Sequence, residues 1–328
     1  MSEIEIKKSN FKNFQQLKKI MHACFGISVT EQYFRWKYLD NPIGRVQAFE
    51  AREGDRVVAF YGLLPELYRV NGKEVKIYQS MDTMTHPNFQ KRGLFVRLAK
   101  HSYQYLLGEE KCFQLIGLPS EDSFPGFIRK LEWSHIANVP YLFLPKCNFF
   151  LSSFFKKTKE LQMSVVREMD DDIRFFLANK QHSQMPISPY LRADFFSWRV
   201  FKNPRKKFTV LKIKDKDKIV GICVYCIDQK HRLHIDYLEF FRGEYFKLYL
   251  NSLVDFLYKK EKVFFVYTWC TNPQIDSAYR SVGFMKNLFP CGPFSLRVPI
   301  IARSSEKEVN GVDWNNATNF DLQPLFQD

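Results

Sequence analysis

The spacing of apolar and polar residues divides the chain into short elements. Residues 4–6 alternate charged and apolar side chains and predict a short strand. Asn10 or Asn13 is placed to cap a helix running through residues 14–21. A second helix is expected over 31–39, stopped at Asn41-Pro42. Two hairpins follow. One joins 47–52 to 56–61 across Gly54-Asp55, and the other joins 67–70 to 75–85 across Asn71-Gly72. From residue 94 the period changes. Leu94, Leu98 and Tyr105, with Phe95, Ser102 and Leu106 beside them, fall on one helical face that Gly108 is placed to end. The apolar run 112–118 fits a buried strand, 124–131 a short helix and 136–144 a closing strand.

The pattern then repeats. Phe34-x-Trp36-Lys37-x-x-x-Asn41-Pro42 returns 162 positions later as Phe196-x-Trp198-Arg199-x-x-x-Asn203-Pro204. Asp55-Arg56-Val57-Val58 returns at the same offset as Asp217-Lys218-Ile219-Val220. Two matches at one offset, each inside the same type of element, predict a duplicated unit. The second copy continues with strands near 208–214, 219–228 and 233–240, a helix over 245–258 and a buried strand at 263–270. The expected organisation is α/β, with two tandem domains that each hold a mixed, mostly antiparallel sheet flanked by helices. The first spans 1–150. Residues 151–189 connect it to, and begin, the second, which occupies 190–302, and 303–328 is a tail packed on the surface.

The chemistry is concentrated between residues 80 and 107. A strand ending in Thr83-Met84-Thr85-His86 meets the turn Pro87-Asn88-Phe89, then Gln90-Lys91-Arg92-Gly93, then the helix from Leu94. A glycine at the mouth of a helix lets a ligand approach backbone N–H groups that have no partner of their own. The helix dipole adds partial positive charge, so a phosphate or pyrophosphate suits the site. Lys91 and Arg92 add two full charges.

Thr85-His86-Pro87-x-x-Gln90-x-x-Gly93 followed by a helix resembles the acyl-CoA signature of the GNAT N-acyltransferases. That signature is Gln/Arg-x-x-Gly-x-Gly/Ala, behind a proline at a strand end. Phe95 stands where the family has its second small residue. Glu132 replaces the glycine that the family places at the end of its next helix, and the tyrosine near that helix's start is not found. The second copy keeps Tyr279-x-x-x-Gly283-Phe284 but has Gly243-Glu244 in place of the loop, with an acid where phosphates would sit. The resemblance implies transfer of an acyl group, with acetyl-CoA as co-substrate, to a primary amine. It implies cofactor binding by Met84, Thr85, Gln90, Lys91, Arg92, Gly93, Leu94 and Phe95, with a backbone N–H near Met84 or Thr85 stabilising the oxyanion. Asp82 is the expected base, with His86 as the other candidate. Trp36 and Tyr38 are expected to wall the acceptor site, with packing as Trp36's competing role, and Glu121 is a further acceptor candidate.

Composition narrows this only partly. The net charge is +14, with pI near 9.3, which favours anionic partners. A nucleotide-linked amino sugar is one such acceptor. No helix clusters base-reading residues, so no nucleic-acid partner is expected. No membrane span, targeting segment or disulfide framework is visible, which leads to a cytoplasmic expectation. Cys223-x-x-Cys226 lies in a strand, where positions three apart face opposite ways, and no metal is expected. Two further readings stay open: a catalytically silent acyl-CoA-binding protein, and a Fem-type aminoacyl transferase, whose family lacks the CoA loop.

Overall fold

The computed structural model describes residues 3–153, 157–180, 183–241, 245–287 and 297–327. The chain forms two compact units. One comprises residues 1–137, 203–205 and 299–317, and the other 138–202, 206–298 and 318–328.

In the first unit β1 (Ile4–Lys8) leads to α1 (Phe14–Phe25) and α2 (Glu31–Tyr38). Asn13 caps α1 by accepting from the Gln16 amide, and Thr30 caps α2 by accepting from the Tyr33 amide. β2 (Gln47–Glu53), β3 (Arg56–Val70) and β4 (Lys73–Thr85) form an antiparallel meander, followed by α3 (Leu94–Glu110), β5 (Gln114–Gly117), α4 (Phe124–Leu131) and β6 (Ser134–Val139). β3 is one strand of 15 residues rather than two short ones. Pro65 does not interrupt it, because the last β2–β3 pair is Gln47 with Leu63, so the missing N–H removes no bond to β2. The core of this unit lies between the sheet and helices α3 and α4, around Phe49, Leu63, Leu98, Phe127 and Trp133.

β7 (Leu142–Pro145) opens the second unit, followed by α5 (Lys146–Ser153), β8 (Gln162–Val166), α6 (Asp171–Asn179), β9 (Ile187–Pro189) and α7 (Ala193–Phe196). A π-helical turn over Ser197–Phe201 extends α7. Then come β10 (Thr209–Asp215), β11 (Lys218–Ile227), β12 (Arg232–Phe240), α8 (Phe246–Lys260), β13 (Phe265–Thr268), α9 (Pro273–Val282) and β14 (Met285–Lys286). β15 (Val298–Ser304) and the short pair β16 (Glu308–Val309) and β17 (Val312–Asp313) end the described strands.

The duplication is visible in the backbone. α7 starts 162 residues after α2, β10 begins and ends 162 after β2, and β11 starts 162 after β3. The β2–β3 pair slips register between Ala51 and Arg52, and β10–β11 slips at the matching Ile213/Lys214. Asn41 accepts from the Ile43 amide, and Asn203 repeats that turn with the Arg205 amide. Trp36 and Trp198 hold matching places, both buried.

Strand order separates the units differently from the sequence boundaries. The first sheet runs β1-β2-β3-β4-β5-β15-β6 and the second β14-β7-β13-β12-β11-β10-β8. The stretch expected as one closing strand breaks at Pro140 into β6 and β7, and these join different sheets. β15, from late in the chain, enters the first sheet beside β5, with Ile301 opposite Gly117. The first domain therefore does not extend to 150, and residues 162–179, inside the stretch expected to connect the domains and begin the second, are strand and helix of the second unit. Nor is 303–328 a surface tail. Trp314, Phe320, Leu322, Leu325 and Phe326 are buried, and the Trp314 indole donates to the Leu115 carbonyl.

In each unit a long strand pairs in parallel with a short one over only three residues. β4 meets β5 from Tyr78 to Ser80, and β12 meets β13 from Arg232 to His234. Beyond Ser80, β4 runs on to Thr85 without a β5 partner, which opens the sheet at the site described next.

Candidate functional site

A groove of about 720 Å³ lies in the first unit where β4, α3 and α4 converge. Thr83 and Thr85 line it from β4, Gln90, Lys91 and Gly93 from the loop, and Leu94, Phe95 and Val96 from the first turn of α3. Ser120, Asp122, Ser123, Gly126, Arg129 and Lys130 face it from α4 and its approach, and Cys24 and Phe25 from the end of α1.

The loop folds as its residues dictate. Pro87–Phe89 makes a single 3-10 turn, and Lys91 and Gly93 both take positive φ, 62° and 71°. Gly93 is the N-cap of α3 and has no side chain to bond the helix amides, so the first N–H groups of α3 are left to the groove. A Cβ built on Gly93 would meet no protein atom within 4 Å. Glycine is required there by the backbone conformation and by whatever approaches the amides, not by crowding from the chain. The Gln90 side chain reaches back to the Thr85 carbonyl at 3.4 Å, tying the loop to the strand end.

Phe95 explains how the chain tolerates a large residue in a small slot. Its ring lies against α4, edge-on to Phe127 at 5.0 Å. Gly126 receives it, since a Cβ there would stand 2.7 Å from Phe95 Cε1. The small residue has moved from α3 to the opposing helix.

Asp82 occupies a bulge. Opposite β3 the register jumps from Met81–Gly62 to Met84–Phe60, and Asp82 takes φ of 45°. Its carboxylate is held by the Lys37 ammonium at 2.9 Å and accepts from the Tyr38 hydroxyl at 2.5 Å. Lys37 and Tyr38 are both buried. The expected base is thus engaged by two buried side chains and stands outside the groove lining. His86 is also otherwise occupied. Its Nε2 accepts from Arg56 at 2.8 Å, and Nδ1 lies 3.3 Å from the Asn88 amide nitrogen. Partial burial, then the Arg56 guanidinium, lowers its pKa below the ordinary histidine value.

Several other expected residues stand outside the groove. Trp36 is buried against Tyr33, with ring centroids 5.6 Å apart, and Tyr38 is fully buried beside Asp82. Neither walls an acceptor site in this groove. Met84 faces the core, because Thr83 and Thr85 take the alternate positions on the groove side. Arg92 folds onto the Phe89 ring at 4.7 Å and donates to the Asn88 carbonyl. Glu121 is exposed and not among the lining residues, although its neighbours Ser120 and Asp122 are. Glu244, expected to block the second copy's loop, lies outside the described residues, as does Gly243. Tyr279 of α9 is buried against Phe246 and Phe284, as a core residue.

Thr83, Cys24, Ser120, Ser123, Arg129 and Lys130 are additions that the sequence did not single out. Period-two alternation from Thr85 was a usable signal for Thr83; the others come from elements whose approach to the loop is purely tertiary. Cys24 is half-buried. Burial pushes its thiol pKa up, and the Thr85 backbone N–H, which points at the sulfur, pulls the other way. Lys91, Arg129 and Lys130 give the rim positive charge, against the single carboxylate of Asp122. Uncapped amides, two positive-φ residues and three cations fit a pyrophosphate-bearing ligand. No helix among the described residues is long and apolar enough to cross a membrane.

Residues 5–136 match the family model for the acetyltransferase (GNAT) domain. No curated protein matches by sequence. Among solved structures, the chain is similar to a conserved protein of unknown function from Enterococcus faecalis, described as a probable N-acyltransferase. The TM-score is 0.71 at 11% identity, covering 92% of this chain and 72% of that one. It is similar to a tandem GNAT protein from the clavulanic acid biosynthesis pathway, with TM-score 0.61 and 12% identity over 94% of this chain and 100% of the other. It is also similar to the Saccharomyces cerevisiae N-myristoyltransferase with bound myristoyl-CoA, with TM-score 0.62 and 13% identity over 98% and 85%. At these identities the likeness is one of fold.

Proposed function

We propose that this chain, whose residues 5–136 form a GNAT acetyltransferase domain, transfers an acyl group from acyl-CoA to a primary amine. The observation that carries the reading is the uncapped N-terminus of α3 behind Gly93, opening into a groove rimmed by Lys91, Arg129 and Lys130. These groups would hold the CoA pyrophosphate, and acetyl-CoA is the proposed donor. The splayed edge of β4 beyond Ser80 would take the pantetheine arm as an added strand, through backbone bonds that need no particular side chain.

Attack by the amine places negative charge on the thioester oxygen. The Thr85 N–H, directed away from β3 and toward Cys24 Sγ, is the donor suited to it. Ser120 and Ser123, whose hydroxyls lie 3.1 Å apart in the groove, would bond the departing thiolate. With Asp82 and His86 engaged, the amine's proton would pass to water in the open groove rather than to a dedicated side chain.

The acceptor is proposed as an amino sugar on a nucleotide carrier, supported by the +14 charge. A cytoplasmic setting belongs to the same proposal, in keeping with the free cysteines among the described residues. The engagement of Asp82 and His86 favours one alternative, a protein that binds acyl-CoA without turning it over. Thiol release from acetyl-CoA, measured over a panel of primary amines that includes UDP- and dTDP-linked amino sugars, decides between them. Release dependent on one acceptor supports transfer; CoA binding without release over the whole panel leaves the binding protein.

A further inference from the structure

The second unit holds a cluster that the acyl-transfer reading does not use. We propose that Cys226, His234 and Asp236, on the β11–β12 hairpin, form a zinc site. Cys226 and His234 are register partners across the two strands, and Asp236 follows two residues later. Near it the register jumps from Tyr237–Val224 to Ile235–Tyr225, leaving Asp236 without a residue opposite. That bulge re-aims the carboxylate toward the other two side chains.

The donor atoms are already gathered. Asp236 Oδ2 lies 3.2 Å from Cys226 Sγ, and Asp236 Oδ1 lies 3.2 Å from His234 Nδ1. One donor atom from each of the three residues falls within 4.8 Å of the others. Zinc bonds of about 2.0–2.3 Å in a tetrahedron put ligands roughly 3.3–3.8 Å apart, so only small side-chain shifts are needed. The mixed sulfur, nitrogen and oxygen set suits zinc and not the oxygen-seeking magnesium or calcium.

A cation is already required here. Asp236 is fully buried, and a buried carboxylate needs positive charge beside it. Lys206 supplies it, with Nζ 2.5 Å from Oδ1, on a side chain that is 43% exposed and reaches in from the surface. The ammonium stands where a metal ion would share Oδ1. On zinc binding, the Cys226 thiol proton passes to solvent, the sulfur bonds the metal, and Lys206 turns outward. The two carboxylate and thiolate charges then balance the ion. His234 is pre-positioned, stacked on Tyr267 with centroids 4.5 Å apart, and its Nε2 is buried without a hydrogen-bond partner. Cys223, the other cysteine of the Cys-x-x-Cys, is fully buried in the core and takes no part. The metal pairing runs across the hairpin, not along the strand.

The test is titration of the metal-free full chain with Co²⁺, followed by competition with Zn²⁺. One equivalent should bind with a near-ultraviolet thiolate-to-cobalt charge-transfer band. Cys226→Ser should abolish the band, and Cys223→Ser should leave it. Lys206→Met should tighten binding, because a competing cation beside the Asp236 carboxylate is gone. Zinc should also protect Cys226 of the wild-type chain from alkylation, as read by peptide mass spectrometry, an arm that needs no variant to fold. Absence of the band, its persistence in Cys226→Ser, or alkylation of Cys226 unaffected by zinc overturns the proposal.

Discussion

Replacing Lys37 by Met removes the ammonium 2.9 Å from the Asp82 carboxylate while keeping a side chain of similar length. The two side chains are 5% and 10% exposed, so water cannot take over the lost charge. Stripping one partner from a buried ion pair costs about 3–5 kcal/mol. Asp82 keeps its bond from Tyr38, which places the expected loss near the lower figure, about 3 kcal/mol. Asp82→Ala should cost a comparable amount, through the lost ion pair and a φ of 45° that alanine resists. Asp82→Gly should lose less, because glycine accepts that backbone. Urea unfolding of the four proteins gives the stabilities, and a Lys37→Met/Asp82→Gly double variant gives the coupling, expected between about 1 and 3 kcal/mol. Turnover per folded molecule of Asp82→Asn should stay within about tenfold of wild type. The reasoning is refuted if Lys37→Met unfolds at the wild-type denaturant concentration. It is equally refuted if Asp82→Asn is fully stable yet loses ~10² or more in turnover, the signature of a general base.

Gly126→Ala should destabilise the first unit by about 1–3 kcal/mol through its 2.7 Å encounter with Phe95. Adding Phe95→Leu should recover most of that in thermal melts; an unperturbed single variant would show that the two helices are not packed as described. Cys24 should be alkylated slowly, and CoA should protect it. Equal modification with and without CoA, read by peptide mapping, would remove Cys24 from the groove. In the zinc-free chain burial alone would raise the Asp236 pKa, but His234 and Lys206 hold it at about 2. A folded value below the unfolded 3.8 gives stability that is complete above about pH 4 and lost as pH falls toward 2. Asp236→Asn should flatten that limb of the stability curve, and an unchanged limb would contradict the pairing.

Much of the fold was legible because it is local. The cap at Asn13, the turns at Gly54 and Gly72, and the strand–loop–helix around Gly93 are each written in a few adjacent residues. The repeat was legible for the same reason, since the Asn41 and Asn203 turns and the strands after them keep one spacing. What escaped is non-local. Nothing near Leu142 or Val298 says which sheet each strand enters, because either sheet buries the same alternating side chains. The site divides the same way. Gly93, Lys91 and Gln90 were readable from the loop's own chemistry, whereas Arg129 and Ser123 reach the groove only because α4 packs on α3. Asp82 and His86 were legible as an acid and a histidine at a strand end, but their partners were not, because Lys37, Tyr38 and Arg56 arrive from elsewhere in the chain. The Cys226 cluster was invisible along the strand because its partner lies across the hairpin.

Isothermal titration of CoA into the wild-type chain and into Gly93→Glu tests the central claim most directly. The α3 amides should bind the pyrophosphate at one site per chain. A glutamate at Gly93 would set a negative charge about 4 Å from the phosphates, a repulsion of roughly 4 kcal/mol at an effective dielectric near 20. The account predicts one site in the wild type and at least a hundredfold loss of affinity in the variant, with its fold intact by circular dichroism. CoA binding to Gly93→Glu as tightly as to the wild type would contradict it.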